Sequence, residues 1–374
     1  MKRVGESLFE SVPNFSEGRD RATVDAIAGA ASAAHLLDVD ADADHNRTVV
    51  SLAGFASRLV EALMASVSAA VELIDVRVHR GVHPRVGAAD VVPIVALDST
   101  PLSASREVAL EVGTRIWDEL HVPVFFYGEH QSLADIRAGR GRLDLGGPDL
   151  HPTAGAVCVG ARAKLVAFNV IVRGMDFDAA RALARSLRES GGGMRGVHAL
   201  VFELIDGRVQ LSMNLFRLEE TAPAAVIAEL ESRGVVVESQ QVVGLCPAVV
   251  ANSAATGKLL EARLAAAAAR AGADRCLERG QLGRGDERVA LAARLRKESV
   301  GLGALGVDQG ALLGGAERAA ALVPVLRVAG VLDDELEAML GVAAVGLRAA
   351  VSPETASTYS ARIATLDRRL GAPG

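Results

Sequence analysis

Residues 75–90, DVRVHRGVHPRVGAAD, bring several reactive side chains together in one short stretch of the chain. His79 and His83 lie four residues apart, among three arginines and two aspartates. Such a segment could form a metal site, a general acid/base, an anion-binding cluster or a charged surface loop. The spacing and the neighbouring residues decide between these alternatives.

The metal site is the weakest alternative. Two histidines at i and i+4 share one face only on a helix, and zinc would need a third ligand. Gly81 lies between them and Pro84 follows His83 directly. Because proline disfavours the helical conformation of the residue before it, we predict extended or turning chain and expect no metal. A metal hydrolase built on His79, His83 and Asp90 remains as an outside alternative.

The acid/base alternative is stronger. A histidine in a loop shaped by glycine and proline can titrate near neutral pH, and Arg80, Arg85 and Asp90 could tune it. A histidine that only caps a strand would show the same sequence pattern. The loop sequence by itself therefore does not distinguish a catalytic histidine from a structural one.

Two further polar segments precede this loop. DVDADADHNRT (38–48) has alternating aspartates, but a calcium loop counted from Asp38 would need glycine at its sixth position and glutamate at its twelfth. Ala43 and Val49 stand there. We therefore expect one or two of these aspartates to face a site at a strand end. SVPNFSEGRD (11–20) has turn chemistry, with Arg19 free to face ligand or solvent.

Helical and strand patterns alternate around these segments. We predict helices at 22–37, 58–74, 104–120, 178–190 and 223–233. We predict strands at 49–55, 91–97, 122–128, 164–172, 198–205, 209–216 and 235–244. Residues 137–156 break the pattern with a long Gly- and Pro-rich loop of the kind that is usually functional or a boundary. From about residue 254 the chain is predicted to be helical.

Composition limits the class of protein. The 374 residues exceed one ordinary core, and half of them are hydrophobic, which predicts a globular chain of more than one unit. The net charge of −6, with no basic stripe, gives nucleic-acid binding little support. Three widely spaced cysteines favour a reducing cytoplasm. We expect no signal peptide, no membrane partner and no membrane-spanning segment.

Several long strings together resemble one family. They are SVPNFSEGRD, LLDVDAD followed by NRTVV, HRGVHPRVGAAD, VPVFFYGE, VGARAKLVAFNV and QVVGLCP. Their order is kept over roughly residues 8–260, and the chain thereby resembles the formiminotransferase domain family. The resemblance implies an α+β fold of two ferredoxin-like subdomains, with mixed or antiparallel sheets covered by helices. We place these subdomains at 1–163 and 164–285, followed by a helical C-terminal extension at 286–374.

The resemblance also implies an activity. Members of the family transfer the formimino group of N-formimidoyl-L-glutamate to tetrahydrofolate, which gives 5-formimidoyltetrahydrofolate and glutamate in histidine degradation. Tetrahydrofolate is then the co-substrate, no metal is expected, and the oligomer is a homodimer. No segment matches a cyclodeaminase domain. Another formimino donor, such as formiminoglycine, and a folate-binding homologue without catalysis remain as alternatives.

The resemblance assigns the site residues by position. His83 is the general acid/base, and Asp40 lines the same site. The folate loop is the run Gly146, Gly147, Pro148, Asp149, Leu150, His151, Pro152, Thr153, Ala154 and Gly155.

Substrate chemistry adds further candidates. A glutamate moiety brings two carboxylates, which arginine binds in a bidentate manner. We expect Arg47 and Arg85 to serve there first, with Arg19 and Asn14 beside them, and Arg162 to join the folate site.

Overall fold

A computed structural model describes residues 4–279 and 285–371 of the chain. The described residues form two compact units. Residues 4–221 and 230–244 make up one of them, which contains both sheets. Residues 222–229, 245–279 and 285–371 make up the other, which is helical.

The first sheet is built from residues 8–161. Its elements are β1 (Leu8–Ser11), β2 (Asn14–Phe15), α1 (Arg21–Ala30), β3 (His35–Asp42), β4 (Arg47–Phe55), α2 (Ala56–Leu73), β5 (Ala89–Ala96), α3 (Leu102–Leu120), β6 (Val124–Tyr127), α4 (Leu133–Arg137) and β7 (Val157–Ala161). Both β1 and β2 pair antiparallel with β4 on one side and β5 on the other, and β3 pairs antiparallel with β4. These strands, with α1 and α2, follow the βαββαβ order of a ferredoxin-like fold. The parallel strands β7 and β6 extend the sheet beyond β5.

One continuous apolar core joins this sheet to α1, α2 and α3. Phe9 of β1, Ile27 of α1, Leu63 of α2 and Val112 of α3 are all essentially inaccessible to solvent within it. A smaller cluster packs Ile136 of α4 with Val91, Phe125 and Cys158, which are strand residues. The two clusters fix the strand ends from which the polar loops leave.

The second sheet has four strands in the order β11-β8-β10-β9, all antiparallel. Its elements are β8 (Val166–Arg173), α5 (Phe177–Leu187), β9 (Val197–Glu203), β10 (Val209–Leu215), α6 (Pro223–Ser232) and β11 (Val236–Val243). This βαββαβ order again gives a ferredoxin-like sheet. β9 and β10 form a hairpin, with Gly207 at a φ of +80° in the turn between them.

The helical unit contains α7 (Leu260–Arg279), α8 (Gly285–Gly303), α9 (Gln309–Val328), α10 (Asp334–Ala349), α11 (Pro353–Thr358) and α12 (Ser360–Leu370). Within it, α7 packs on α8 and α10, and α9 packs on α10. Leu313, Leu340 and Leu347 are fully buried there. None of the helices in the described part of the chain is both long and apolar enough to cross a membrane.

The predicted α+β class with a helical C-terminal region is confirmed. One element prediction is wrong: the helix expected at 22–37 ends at Ala30, and His35–Asp42 is a strand. Alanine and leucine extend the helical pattern locally, but β3 pairs with β4 from His35–Ala53 to Asp42–Arg47, and that long-range pairing prevails. The chain passes from the first sheet to the second between Ala161, at the end of β7, and Val166, at the start of β8. The predicted domain boundaries stay predictions.

Candidate active site

The loop 74–88, which joins α2 to β5, runs beside residues 151–156. The Val76 N–H donates to the Thr153 carbonyl at 2.8 Å, and the Ala88 N–H donates to the Ala154 carbonyl at 2.8 Å. Gly87 makes this approach possible, because a Cβ there would collide with the carbonyl oxygens of Ala154 and Ala156. Two segments that the sequence singled out separately are therefore in direct contact.

His83 is half-buried in this loop. Its Nδ1 lies 2.7 Å from the Pro84 carbonyl oxygen. Because a carbonyl can only accept, Nδ1 carries the proton and Nε2 keeps its lone pair. Within residues 4–279 and 285–371, no hydrogen bond engages Nε2, so that atom is available to a substrate.

Two rings form the walls around His83. The His45 ring centroid lies 5.8 Å away and the Phe202 centroid 5.6 Å away. His45 belongs to the turn after β3, whereas Phe202 lies on β9 of the second sheet. His45 is itself buried, and its Nε2 lies 2.7 Å from Oε1 of Gln210 on β10. The second sheet therefore contributes directly to the surroundings of His83.

Asp90 is the charged centre of the site and has no exposed surface. Its Oδ2 accepts from Arg47 Nη1 at 2.6 Å and from Arg137 Nη2 at 2.8 Å. Its Oδ1 accepts from the Val86 N–H at 2.5 Å. Burial opposes ionisation of Asp90, but the two guanidinium groups and the Val86 N–H outweigh it and lower its pKa to about 2. Arg47 also donates its Nε–H to Asn14 Oδ1 at 3.0 Å, which joins β2 to the cluster.

Burial and, after it, the charges of this cluster keep the pKa of His83 low. Burial disfavours the imidazolium first, and the positive charges of Arg47 and Arg137 disfavour it further, while Asp90 acts weakly in the opposite direction. Together they lower the pKa of His83 to about 3. His83 is therefore neutral at physiological pH and holds a free base at Nε2.

Asn46 ties the β3–β4 turn to the His83 loop. Its φ of 44° is left-handed, which asparagine tolerates better than most residues. Its side chain accepts from the Gly18 N–H and donates to the Arg80 carbonyl, each at 2.9 Å. Its own carbonyl accepts from His79 Nε2 at 2.9 Å. His79 is therefore held by the backbone and serves to position the loop.

The other predicted polar residues lie on neighbouring segments. Asp40 is on β3, and its Oδ2 accepts from the Gly244 N–H at 3.0 Å. Arg85 donates from Nη2 to the carbonyls of Gly81 and His83, both at 2.8 Å. Arg19 donates from Nε to the Ala43 carbonyl at 2.8 Å.

A cavity of about 700 Å³ opens beside Arg85. The first half of the predicted folate loop lines it with Gly146, Gly147, Pro148 and Leu150. Its remaining lining residues are Val86, Phe125, Ile136, Arg137, Gly139, Gly141, Arg142 and Leu143. The cavity therefore borders the Asp90 cluster through Val86 and Arg137, and Arg85 joins it to the His83 loop. His83 itself is not one of the residues that line it.

The second half of the predicted folate loop does not line this cavity. His151 and Gly155 exchange backbone hydrogen bonds of 2.9 and 3.0 Å, and His151 Nδ1 accepts from the Ala154 N–H at 3.0 Å. Ala154 is buried in the core, and Thr153 is bound to the His83 loop. These residues, with Pro152 between them, hold the loop in place. Asp149 is exposed, and Arg162 donates to the Ala163 carbonyl at 2.9 Å.

The three side chains of the alternative metal site, those of His79, His83 and Asp90, are bound to other groups of the protein. His79 and His83 each donate to a carbonyl, and Asp90 is held between two arginines. Among the residues that the structure describes, no group of three or more His, Cys, Asp or Glu side chains is placed to hold a metal ion.

The sequence did not point to several residues of the site: His45, Arg137, Arg142, Phe202 and Gln210. Arg137 and Arg142 stand at the start of the long loop that the sequence marked as functional, which was a usable signal. Phe202 and Gln210 belong to ordinary strand patterns, and nothing near them in sequence connects them with His83.

The chain resembles known proteins over most of its sheet-forming part. A model of the formiminotransferase domain, N-terminal subdomain, matches residues 8–162. A glutamate formimidoyltransferase of Thermoplasma acidophilum is 36% identical over 269 residues, which cover 64% of this chain and 88% of that protein. One from Streptococcus pyogenes serotype M1 is 36% identical over 267 residues, or 64% and 89% of the two chains. A formimidoyltransferase-cyclodeaminase of Rattus norvegicus is 35% identical over 272 residues, or 64% of this chain and 50% of that protein.

Proposed function

The chain belongs to the formiminotransferase domain family, and from that premise we propose that it is a glutamate formimidoyltransferase. It would transfer the formimino group of N-formimidoyl-L-glutamate to tetrahydrofolate. The observation that carries this proposal is His83, whose ring is neutral and keeps Nε2 free, in the same loop as Arg85, which lines a cavity of arginines and glycines.

His83 would move one proton twice. As the nitrogen of tetrahydrofolate bonds to the amidine carbon, Nε2 takes the proton that this nitrogen loses. The carbon is then tetrahedral and bears three nitrogens. His83 returns the proton to the glutamate nitrogen as the bond from that nitrogen to the carbon breaks. Such acid–base catalysis contributes typically about 10²- to 10⁴-fold.

The remaining residues would hold the substrates. We propose that Asp40 orients the cationic amidine, for which a carboxylate is a strong partner. Arg85, which lines the cavity, would bind a carboxylate of the donor. Arg47, of which 11% of the side chain is exposed, would act with Arg19 and Asn14 at the edge of the same site. We propose that tetrahydrofolate lies along the loop 146–155, with Arg162 beyond it.

The test is an absorbance assay for 5-formimidoyltetrahydrofolate with the purified chain. We expect transfer from formiminoglutamate, and a loss of about 10²- to 10⁴-fold in kcat for His83→Asn with folate binding retained. Asparagine keeps a donor for the Pro84 carbonyl but lacks the base at Nε2. His130→Gln, at an exposed position away from the cavity, is the matched control.

Each other outcome has its own meaning. An unchanged rate in His83→Asn would remove the proposed role of His83. Transfer from formiminoglycine but not from formiminoglutamate would establish the alternative donor. Folate binding without transfer from either donor would establish a binding homologue without catalysis.

We also propose a homodimer in a reducing cytoplasm, without cyclodeaminase activity. The three cysteines are free and buried, which supports a reducing location. The match to the rat formimidoyltransferase-cyclodeaminase covers 50% of that protein. Sedimentation equilibrium should give about twice the chain mass of 38.7 kDa, and no ammonia should be released from 5-formimidoyltetrahydrofolate.

A further inference from the structure

The His83 ring is held by its own loop through a single atom. Nδ1 donates to the carbonyl of Pro84, the next residue along the chain, at 2.7 Å. A bond this local fixes the tautomer, but it moves with the loop and does not hold the ring against the rest of the molecule. The described residues between Leu73 and Ala89 form no helix or strand. Other contacts must therefore decide where the ring lies and how much water reaches it.

Phe202 of β9 packs on that ring from the second sheet. The two ring centroids lie 5.6 Å apart, with the ring planes tilted by 32°. Phe202 also packs edge-on against His45, with centroids 4.8 Å apart and planes at 87°, and the His45 centroid lies 5.8 Å from that of His83. Each of the three rings thus contacts the other two, in the tilted and edge-on arrangements that aromatic pairs prefer. Phe202 is only 8% exposed, so its ring lies inside this cluster and not in solvent.

Two neighbouring side chains of the second sheet contact both histidines. Phe202 and Gln210 are directly opposite in the register of β9 and β10, which places them side by side on one face of the sheet. Gln210 Oε1 lies 2.7 Å from His45 Nε2, while Phe202 packs on the His83 ring. His45 is also held within the first sheet, because its backbone N–H donates to Asp42 Oδ1 at 2.8 Å. Both sheets therefore fix the ring cluster around His83, whose own backbone lies in an irregular loop.

Burial in this cluster explains why His83 is neutral. Burial is the largest cause of its low pKa of about 3, ahead of the neighbouring charges. The charged and titratable groups that face its ring are Arg47 of β4, Asp90 of β5, Arg137 of α4 and His45 of the β3–β4 turn. Phe202 is apolar, so it excludes water without adding charge. Removing its ring should therefore change the hydration of His83 and leave those charges as they are.

We propose that Phe202 is a positioning residue of the transfer reaction, which packs on the His83 ring, fixes its plane and shields it from water. That it serves this reaction rests on the proposed function, whereas the shielding of His83 rests on the packing of the rings. The loop of the first sheet thus carries the base, and the second sheet holds that base in place. Because Phe202 acts only through His83, its loss should lower the rate of transfer and leave the binding of both substrates unchanged.

The first experiment is an NMR titration of the full chain with labelled histidine, which needs no substrate. We expect the pKa of His83 to rise from about 3 toward its ordinary value of 6.5 in Phe202→Ala, because water then reaches the imidazolium, and to rise less in Phe202→Leu. Phe202→Tyr keeps the ring and should keep the pKa of the wild type. Phe202→Leu keeps most of the buried volume, so the test stands even if Phe202→Ala does not fold.

The matched control is a second pair of histidine and phenylalanine in the same sheet. His198 of β9 and Phe216, which directly follows β10, have ring centroids 4.6 Å apart and planes at 71°. Burial is also the largest cause that lowers the pKa of His198. Phe216→Leu should raise the pKa of His198 and leave that of His83 unchanged, whereas Phe202→Leu should do the reverse. This comparison separates local shielding from a general loosening of the sheet.

The second experiment compares the kinetics of transfer. We expect Phe202→Leu to lower kcat near neutral pH by about tenfold or more, with the KM for each substrate within about twofold of the wild type, because a slightly misplaced catalytic group is costly. A raised pKa means that the base is lost earlier as the pH falls. The kcat/KM of Phe202→Leu should therefore fall more than that of the wild type between neutral pH and about pH 5. Phe202→Tyr should restore both properties, and Phe216→Leu should match the wild type.

Each result decides one of the two proposals. A pKa of His83 that is unchanged in both Phe202→Ala and Phe202→Leu overturns the positioning role. A KM raised for either substrate overturns it as well, because Phe202 would then bind substrate. A raised pKa in a protein that transfers no formimino group would leave the shielding by Phe202 established and overturn the proposed function. Transfer that depends on His83 but is equal in every Phe202 variant would leave the function established and overturn the positioning role.

Discussion

At the scale of single residues, the site depends on how each titratable group is held. The Pro84 carbonyl fixes the tautomer of His83. The Asn46 carbonyl engages His79, and the Gln210 amide engages His45. Among the described residues, Nδ1 of His45 and Nδ1 of His79 have no partner but are buried, whereas His83 is half-buried and its Nε2 is not engaged, so the three histidines have different roles.

Replacing Asp90 should test the charge cluster. Asp90→Asn keeps the shape but leaves Arg47 and Arg137 without compensation, so we expect a loss of about 3–5 kcal/mol in the free energy of unfolding. The pKa of Asp90 is lowered from 3.8 to about 2, so its stabilisation is complete above pH 4 and is lost as the pH falls through 2. Urea unfolding at several pH values should show the wild type and the variant converging below pH 4.

The control for that measurement is Asp75→Asn. Asp75 pairs with Arg77 at 2.6 Å on the surface of the loop 74–88, where solvent screens the interaction. We expect little change in stability there. Equal effects of the two substitutions, or a difference that does not depend on pH, would contradict the role assigned to Asp90.

At the scale of elements, the site is made of loops fixed to strand ends. The His83 loop lies between α2 and β5. The second half of the loop 146–155, which directly precedes β7, is hydrogen-bonded to it through Thr153 and Ala154. Loop sequences rich in glycine and proline were correctly predicted to be irregular, because turn chemistry is local. The end of α1 was predicted wrongly, because the pairing of β3 with β4 involves residues distant in sequence.

Gly87 should be intolerant of a side chain. In Gly87→Ala the added methyl group meets two backbone oxygens, which must move apart and take the two loops with them. We expect a fall in Tm together with a loss of transfer activity. Gly29→Ala in α1 is the control, because nothing lies within 4 Å of its added Cβ, and we expect stability unchanged or raised by about 0.5–1 kcal/mol. A Gly87→Ala protein as stable and active as the wild type would show that the two loops need not touch.

At the scale of the whole molecule, the unit that contains both sheets brings them together at His83. His45 and Gln210 are 165 residues apart in sequence and 2.7 Å apart in space. Asp40 likewise reaches Gly244, at the end of β11. The surroundings of His83 are therefore complete only when the second sheet is in place.

A double-mutant cycle can measure this link. Gln210→Leu leaves a buried N–H of His45 without an acceptor and should reduce stability by about 1–3 kcal/mol. His45→Phe with Gln210→Leu removes both polar partners, so the double variant should be less destabilised than the sum of the single variants. Urea unfolding of the four proteins gives the coupling energy, and strictly additive effects would mean that the bond does not join the sheets.

Local sequence patterns by themselves determined the irregular loops and His83 as a candidate base in a loop that proline and glycine keep from being helical, because these properties depend on neighbours along the chain. The α+β class followed from the resemblance of long sequence strings to a known family. Only the tertiary structure decided that Arg137 and Arg47 share Asp90, that His79 and His151 hold loops, and that Phe202 and Gln210 complete the site. These contacts join residues far apart in sequence, and they exist because strand pairing and core packing bring distant segments together.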